Sequence, residues 1–582
     1  LHTTASGILA SSKGKEFYSK YTTMGNMNNG VAVLQERRVH SWNSTTRLNY
    51  LKTFNRIHRV DLMGAFEASR YNYESQGMRS IDFVDESTGI NDISKGAQIS
   101  RVYSSRWANN RVSWLTRANY SLAWKYLFTA SFRIDGSDKF GSGNRYGYFP
   151  SAAFAWQAHK EKFIKSLNTF DQLKLRLSYG ETGNERIPAY RYFSEMDNAY
   201  YATAGSNIFG MAPSSPANPD LKWETTVQYN AGLDVGILKN RLNFTLDYYI
   251  KQTKDMLLPA YVPSELGYSQ QWKNMGRIDN QGIEFQVTSI NIDKAFRWST
   301  SFNISANKNT IKSLGDIDFI PVIMNNGAIS NLGRVQVGNS LGTAYGFLTD
   351  GVYQIDDFTW QNNSDPNISH GSRNYTLKND VVSVAGATVS PGSLKYKDLS
   401  GDNIVDEEND RTFISRSLPK HYGGFENTFS YKNLECNIFM EWSYGGDVVN
   451  LGTRLIQGPS GVWNLSKEFW DNHWTPENPT NVYPDVISKN ATAAMMSDYY
   501  VEDASYLRLR NVSLSYKLPQ KTVSRMGLKT LSIYTTATNL HVWTKYSSFD
   551  PDVSYNNPLL PGLERLAYPR ARSFLLGLKA SL

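Results

Sequence analysis

The sequence predicts an all-β fold: a transmembrane antiparallel β-barrel with long extracellular loops and short periplasmic turns. Three observations lead there. Apolar and polar residues alternate in many runs of nine to thirteen residues, whereas strands of soluble proteins have a mode of about 5–6 and a tilted strand crossing a bilayer needs about 9–11. The runs come in pairs joined alternately by tight turns and by long polar segments, the pattern of a membrane barrel. No run of about 18 apolar residues occurs anywhere in the 582 residues, which excludes membrane-spanning helices.

In chain order, the first hundred residues fit a barrel with weak signatures. Val112, Trp114, Thr116, Ala118, Tyr120, Leu122 and Trp124 then share one parity, opposite Arg111, Ser113, Arg117, Asn119, Ser121 and Lys125. After a short turn near Tyr126 the chain returns through Phe128, Ala130, Phe132 and Ile134. Leu173, Leu175, Leu177 and Tyr179 alternate with Lys174, Arg176 and Ser178. Val227 to Val235 runs through "GILKN" into "RLNFTLDYYIK" (241–251), a hairpin with a tight connection. Trp298 to Ala306, Phe425 to Tyr431, Leu434 to Trp442 and Phe574 to Leu582 repeat the pattern. Successive side chains of a strand point to opposite faces, so each run has one apolar and one polar face. A large secreted β-sandwich also alternates, but run length and lopsided connections favour a sheet whose apolar face meets lipid, closed so that every backbone group is paired.

Composition narrows the function. Formal charge is +8, and Lys and Arg are dispersed with no block of five or six, which argues against nucleic acid as a partner. Aromatics reach 13%, with 36 Tyr and 14 Trp, residues suited to boundaries that are apolar on one side and wet on the other. Cys436 is the single cysteine, so a disulfide within the chain is impossible. The opening "LHTTASGILASSKGKEF" has neither an initiator Met nor a charged segment before a hydrophobic core, as expected of a mature product or a piece of something longer.

Motifs of catalysis are scarce, and no enzyme activity is expected. "GNSLG" (338–342) matches G-x-S-x-G, yet "TAYGFLTDGVYQ" after it lacks the helical period that a nucleophile elbow at Ser340 requires. The histidines show no ligand spacing, and phosphate-loop and dinucleotide fingerprints are missing. "DLSGDNIVDEEND" (398–410) is the better constellation: Asp398, Ser400, Asp402, Asp406 and the carbonyl of Ile404 fall at the alternating positions from which a loop offers oxygens to Ca²⁺ or Mg²⁺. Against it, Asn403 stands where the loop usually has glycine, and Asn409 stands where an acid would close the site, though Asp410 follows; the alternative is a solvated acidic turn. Trp360, Trp463, Trp470 and Trp474 lie in long segments, as platforms for sugar rings or peptide side chains or as loop packing and interface anchors.

Eight ordered stretches stand out: "SFRIDGSDKFGSGNRYGYFPSAAFAW" (131–156), "LKLRLSYGETGN" (173–184), "NPDLKWETTVQYNAGLDVGILKNRLNFTLDYYIKQTKDML" (218–257) and "GTAYGFLTDGVYQ" (342–354). "LKYKDLSGDNIVDEENDR" (394–411), "WDNHWTPENPT" (470–480), "YLRLRNVSLSYKLP" (506–519) and "TNLHVWTKYSSFDPDVS" (538–554) complete them. Together they resemble the SusC/RagA family of TonB-dependent outer-membrane transporters. The resemblance implies a 22-stranded barrel filled by an N-terminal plug, a TonB-contacting segment, a SusD-like surface lipoprotein as lid, and TonB-driven import of oligosaccharides or peptides across the outer membrane of a Gram-negative, Bacteroidota-like cell. It implies no required cofactor.

Residues 1–582 are expected to be the C-terminal portion of such a barrel, with long extracellular regions at about 180–222, 311–420 and 443–500 and with the plug and TonB-contacting segment outside this chain. At roughly 35 residues per unit of turn and loop, the length supplies about 14–17 strands. A partial barrel leaves open edges in lipid, so an N-terminal, plug-bearing portion, as a separate chain or otherwise, is an expected partner beside TonB, the lipoprotein, the substrate and outer-membrane lipid. The chain ends on Leu582 where such barrels usually end on an aromatic, a tolerated variant of the insertion signal. The rival expectations are a passive porin-like channel and a secreted β-rich glycan-binding protein or glycosidase.

Overall fold

A computed structural model describes residues 1–203, 206–263, 265, 267–268, 270–324, 329, 331–361, 373–457, 464–486, 492, 495–553, 557 and 559–581. Trp463 and Leu582 therefore lie outside the described residues, as do parts of the three long regions.

Sixteen strands form one sheet, each hydrogen-bonded to the next along the chain, inside the expected range. We number them β1 (His2–Tyr18), β2 (Val31–Phe54), β3 (His58–Phe83), β4 (Gly96–Leu122), β5 (Tyr126–Ser137), β6 (Tyr146–Gln157), β7 (Phe170–Asn184) and β8 (Glu224–Ile237). The rest are β9 (Leu242–Lys254), β10 (Arg277–Asp293), β11 (Phe296–Ser313), β12 (His421–Tyr431), β13 (Leu434–Tyr444), β14 (Tyr506–Lys517), β15 (Thr530–Thr544) and β16 (Ser573–Ser581). The tight connections stand where the alternation breaks. Leu238, Lys239 and Asn240 turn with φ of 58°, 60° and 56°, and Lys432 turns with φ 55°.

The chain divides into two compact units, Leu1–Glu161 with Lys174–Ala231 and Lys251–Arg277, and Lys162–Leu173 with Gly232–Ile250 and Ile278–Leu582. In the first, β2, β3 and β4 run 24, 26 and 27 residues, about twice the predicted length. Away from the β2–β3 turn, Arg38 pairs with Glu36 and Arg106 with Glu74. Charges on the face that elsewhere carries Trp42, Leu48 and Tyr50 erase the period of two, so the sequence pattern misses this extension although backbone pairing continues through it.

Both units build a hydrophobic cluster mainly from the connections between strands, with Phe149 of β6 joining the first. In the first, Phe140, Phe149, Ile187, Leu221, Trp223 and Leu257 pack together, and the Trp223 indole N–H donates to the Arg145 carbonyl at 3.0 Å. In the second, Phe347, Val352, Val384, Leu394, Tyr396, Val405 and Trp474 form the cluster. The apolar parity of the sheet strands is instead left bare. Leu246 and Tyr248 of "RLNFTLDYYIK" are 42% and 44% exposed, as are Leu177, Phe128, Leu514 and Leu576 to similar or greater extents. Such contiguous bare apolar surface calls for an apolar solvent.

Candidate functional site: the polar face and the loops that rise from it

Register puts polar residues opposite polar residues on the other face. In the first unit Asp61, Asn119 and Thr129 stand side by side on β3, β4 and β5; Thr129 Oγ1 donates to Asn119 Oδ1 at 2.9 Å. Farther along, Arg133 donates from Nε to both Asp135 oxygens at 2.8 Å and from Nη2 to Ser113 Oγ at 3.0 Å, with Glu67 at 3.5 Å. In the second unit Ser299, Thr428, Asn437, Ser513 and Thr536 form one row across β11 to β15, and Asn437 Nδ2 donates to Thr428 Oγ1 at 3.1 Å and to Glu426. One residue along each strand lies the opposite row, with Trp298, Phe429, Cys436, Leu514 and Thr535. Hydroxyls and amides that both donate and accept suit contact with a hydrated polar solute.

A buried charge cluster ties a long connection to this face. Arg508 on β14 donates from Nη1 and Nη2 to Asp550 at 3.0 and 2.6 Å, and its Nε lies 3.3 Å from Glu441. Arg570 reaches Asp550 at 3.6 Å and Asp552 at 2.5 Å. Burial pushes the Asp550 carboxyl up, but the bonds from Arg508 and the Asp552 N–H, with the Arg508 and Arg570 charges, together outweigh it and hold the group below the ordinary carboxylate range. Arg411 is buried too, with Tyr345 5.2 Å and Phe347 5.9 Å from its guanidinium, donating to the carbonyls of Asn331 and Tyr345.

The loop 398–410 is folded by its own carboxylates. Asp398 accepts from Ser400 Oγ and from the N–H groups of Gly401 and Asn403. Asp402 accepts from Ile404 N, and Asp406 from the N–H groups of Glu408 and Asn409. Backbone bonds hold Asp406 below its usual range; for Asp398 they outweigh a desolvation that acts the other way. Asn403 adopts φ 66°, the left-handed conformation for which glycine is the usual choice. Asp398, Ser400, Asp402, Ile404 and Asp406 thus share one turn, in which the carboxylates of Asp398, Asp402 and Asp406 accept from N–H and O–H donors of the turn itself. Among the described residues no three His, Cys, Asp or Glu side chains converge as a metal group. Sequence reasoning noted Asp410 but not its role as organiser: fully buried, it accepts from Leu399 N and Ser400 N at 2.7 and 3.0 Å and from Asp406 N at 2.8 Å. Its place one residue past the expected closing position was the available signal.

Ser340 sits in a turn, donating to the Leu341 carbonyl at 3.0 Å, with no helix following it. Trp474 is 1% exposed and donates to Gln354 Oε1 at 2.9 Å, so it packs its loop. Trp360 stacks with Arg373 at 4.3 Å, and Trp470 is 59% exposed beside His473.

The family model for "TonB dependent receptor-like, beta-barrel" matches residues 3–540. TonB-dependent receptor P3 of Formosa agariphila is 33% identical over 558 residues, 94% of this chain and 53% of that protein. TonB-dependent receptor SusC of Bacteroides thetaiotaomicron is 30% identical over 486 residues, 81% of this chain and 43% of that protein. The chain thus spans about half the length of the curated relatives it matches. The solved RagAB peptide transporter superposes with a TM-score of 0.79 at 23% identity, covering 99% of this chain and 59% of that one, which establishes the shared fold. These relatives are receptors and transporters of the outer membrane, not enzymes, and the bare apolar face agrees with that location. The chain is an outer-membrane protein and belongs to the TonB-dependent receptor family.

Proposed function

We propose that this chain forms wall and loops of a SusC-like importer that carries oligosaccharides or peptides across the outer membrane, driven by TonB and paired with a SusD-like surface lipoprotein. The observation that carries it is the two-faced sheet. Rows of Ser, Thr and Asn on one face lie one residue from apolar rows on the other, in which Phe296, Tyr431, Leu434, Leu514 and Tyr516 stand bare. The likeness to TonB-dependent receptors supports TonB as the energy source; the likeness to the RagAB peptide transporter supports peptides as one substrate class. An N-terminal, plug-bearing portion completes the assembly, pairing with the outer edges of β1 and β16, which have no partner strand among the described residues.

The test is uptake of labelled oligosaccharides and peptides by cells producing the complete transporter, with and without TonB. Uptake that stops without TonB supports active import; uptake that persists marks a passive channel. Import in this proposal requires no cofactor. A Ca²⁺ or Mg²⁺ ion at the 398–406 turn would only stiffen it, and an unchanged melting profile of that loop in EDTA would dismiss the ion.

A further inference from the structure

The dispersed charge of this chain acquires a side once the strands are paired. Seven connections follow the even-numbered strands β2 to β14, at 55–57, 123–125, 158–169, 238–241, 294–295, 432–433 and 518–529. Together they contain twelve of the chain's 61 Lys and Arg and one of its 53 Asp and Glu, so the remainder holds 49 bases against 52 acids. The net positive charge resides in these seven connections.

Within the second unit this charge borders a defined apolar row. Phe296, Tyr431, Leu434, Tyr516, Ile533 and Leu578 are neighbours across six paired strands, and all are bare. One or two residues toward the turns come Lys294, Lys432 and Lys517, and beyond them Lys521, Arg525 and Lys529 of the 518–529 connection; all six are exposed. The Lys432 ammonium lies over the Tyr431 ring at the border of the apolar row, 5.3 Å from the ring centre. Two acids share the rim, Asp293, taken by Arg297 at 3.2 Å, and Glu435. Among the described residues Lys294, Lys432, Lys521, Arg525 and Lys529 form no ion pair.

We infer that this rim binds the phosphate of anionic phospholipid headgroups in the leaflet on the short-turn side. An acyl chain against the apolar row places its phosphate at the depth of the ammonium groups, as long basic side chains reach from apolar surface to the headgroup level. A soluble acidic partner would match the charge but leave the adjoining apolar row without an occupant. Each basic side chain near an anionic surface contributes about 1 kcal/mol, or about fivefold in affinity.

The experiment places the protein, extracted with its native partners, in nanodiscs of mixed phosphatidylglycerol and phosphatidylcholine, and reads retained lipid by native mass spectrometry. Phosphatidylglycerol should be enriched about tenfold or more over phosphatidylcholine at low salt. The enrichment should collapse in the combined variant Lys432→Gln, Lys521→Gln, Arg525→Gln, Lys529→Gln. Should that variant fail to assemble, the wild-type enrichment must still fall steeply between 0.05 and about 0.5 M salt, where the screening length shrinks from more than 10 Å to a few. Equal retention of the two lipids, enrichment indifferent to salt, or enrichment unchanged in the assembled variant overturns the inference. So does binding of acidic peptidoglycan fragments without lipid enrichment. Import need not be measured, so failure here and failure of the proposed transport are separable.

Discussion

The assignment of faces can be tested by one pair of neighbouring substitutions on β14. Val512 lies between Ile438 and Ala537 on the apolar face; Ser513 lies between Asn437 and Thr536 on the polar one. Val512 is five residues from Lys517 at the basic rim. At about 3.3 Å per residue and a tilt of about 40°, that is about 12–13 Å of depth, close to the middle of the hydrocarbon. An arginine facing lipid near the midplane costs about 2–4 kcal/mol, which lowers the folded-to-unfolded ratio by about 30- to 800-fold. Ser513→Arg keeps its charge on a surface of hydroxyls and amides and should cost less than about 1 kcal/mol. The assay is urea titration of the protein in vesicles, followed by the gel shift between folded and heat-denatured forms. A large loss for Val512→Arg beside a small one for Ser513→Arg is expected. Equal losses, or the reverse order, would refute the placement of the apolar face in lipid.

Other perturbations probe the loops. Asp550→Asn or Arg508→Ala strands a buried partner, as both side chains are under 10% exposed; about 3–5 kcal/mol of local stability should be lost, seen as faster hydrogen exchange across 545–572. Acid should do the same without mutation. Because Asp550 titrates below its unfolded value, its contribution is full above the ordinary carboxylate range and disappears as pH falls through the lower folded value; exchange there should stay slow at pH 7 and quicken only in strong acid. Asp410→Ala leaves the N–H groups of Leu399, Ser400 and Asp406 without their acceptor and should cost about 2–3 kcal/mol locally, read as new protease cleavage near 398–410. Gly423→Ala would bring a Cβ to 2.1 Å from the Asn303 carbonyl and under the Trp442 ring, so β11 and β12 should separate locally, lowering the yield of heat-modifiable folded protein.

Where one solvent lies on each side of a strand, the sequence determined its structure. "RLNFTLDYYIK" announces a two-faced strand, and the tight connections at "LKN" and "YKN" stand where the alternation breaks, because a period of two and a left-handed turn are properties of a few neighbouring residues. The strand count followed from length. Legibility failed where environment replaced periodicity. β2, β3 and β4 continue past the apolar band with charge on both faces, and only backbone pairing shows that they are still strands.

The loop carboxylates show the same limit. Asp398, Asp402 and Asp406 are spaced like cation ligands, but spacing along a chain does not say whether an oxygen meets a cation or a nearby N–H. Tertiary structure shows the N–H partners of these carboxylates, the burial of Asp410, the joining of Arg508 to Asp550 across 42 residues, and the gathering of Lys432, Lys521, Arg525 and Lys529 on one rim. Charge and burial depend on what the rest of the chain brings alongside, so a sequence read one window at a time cannot contain them.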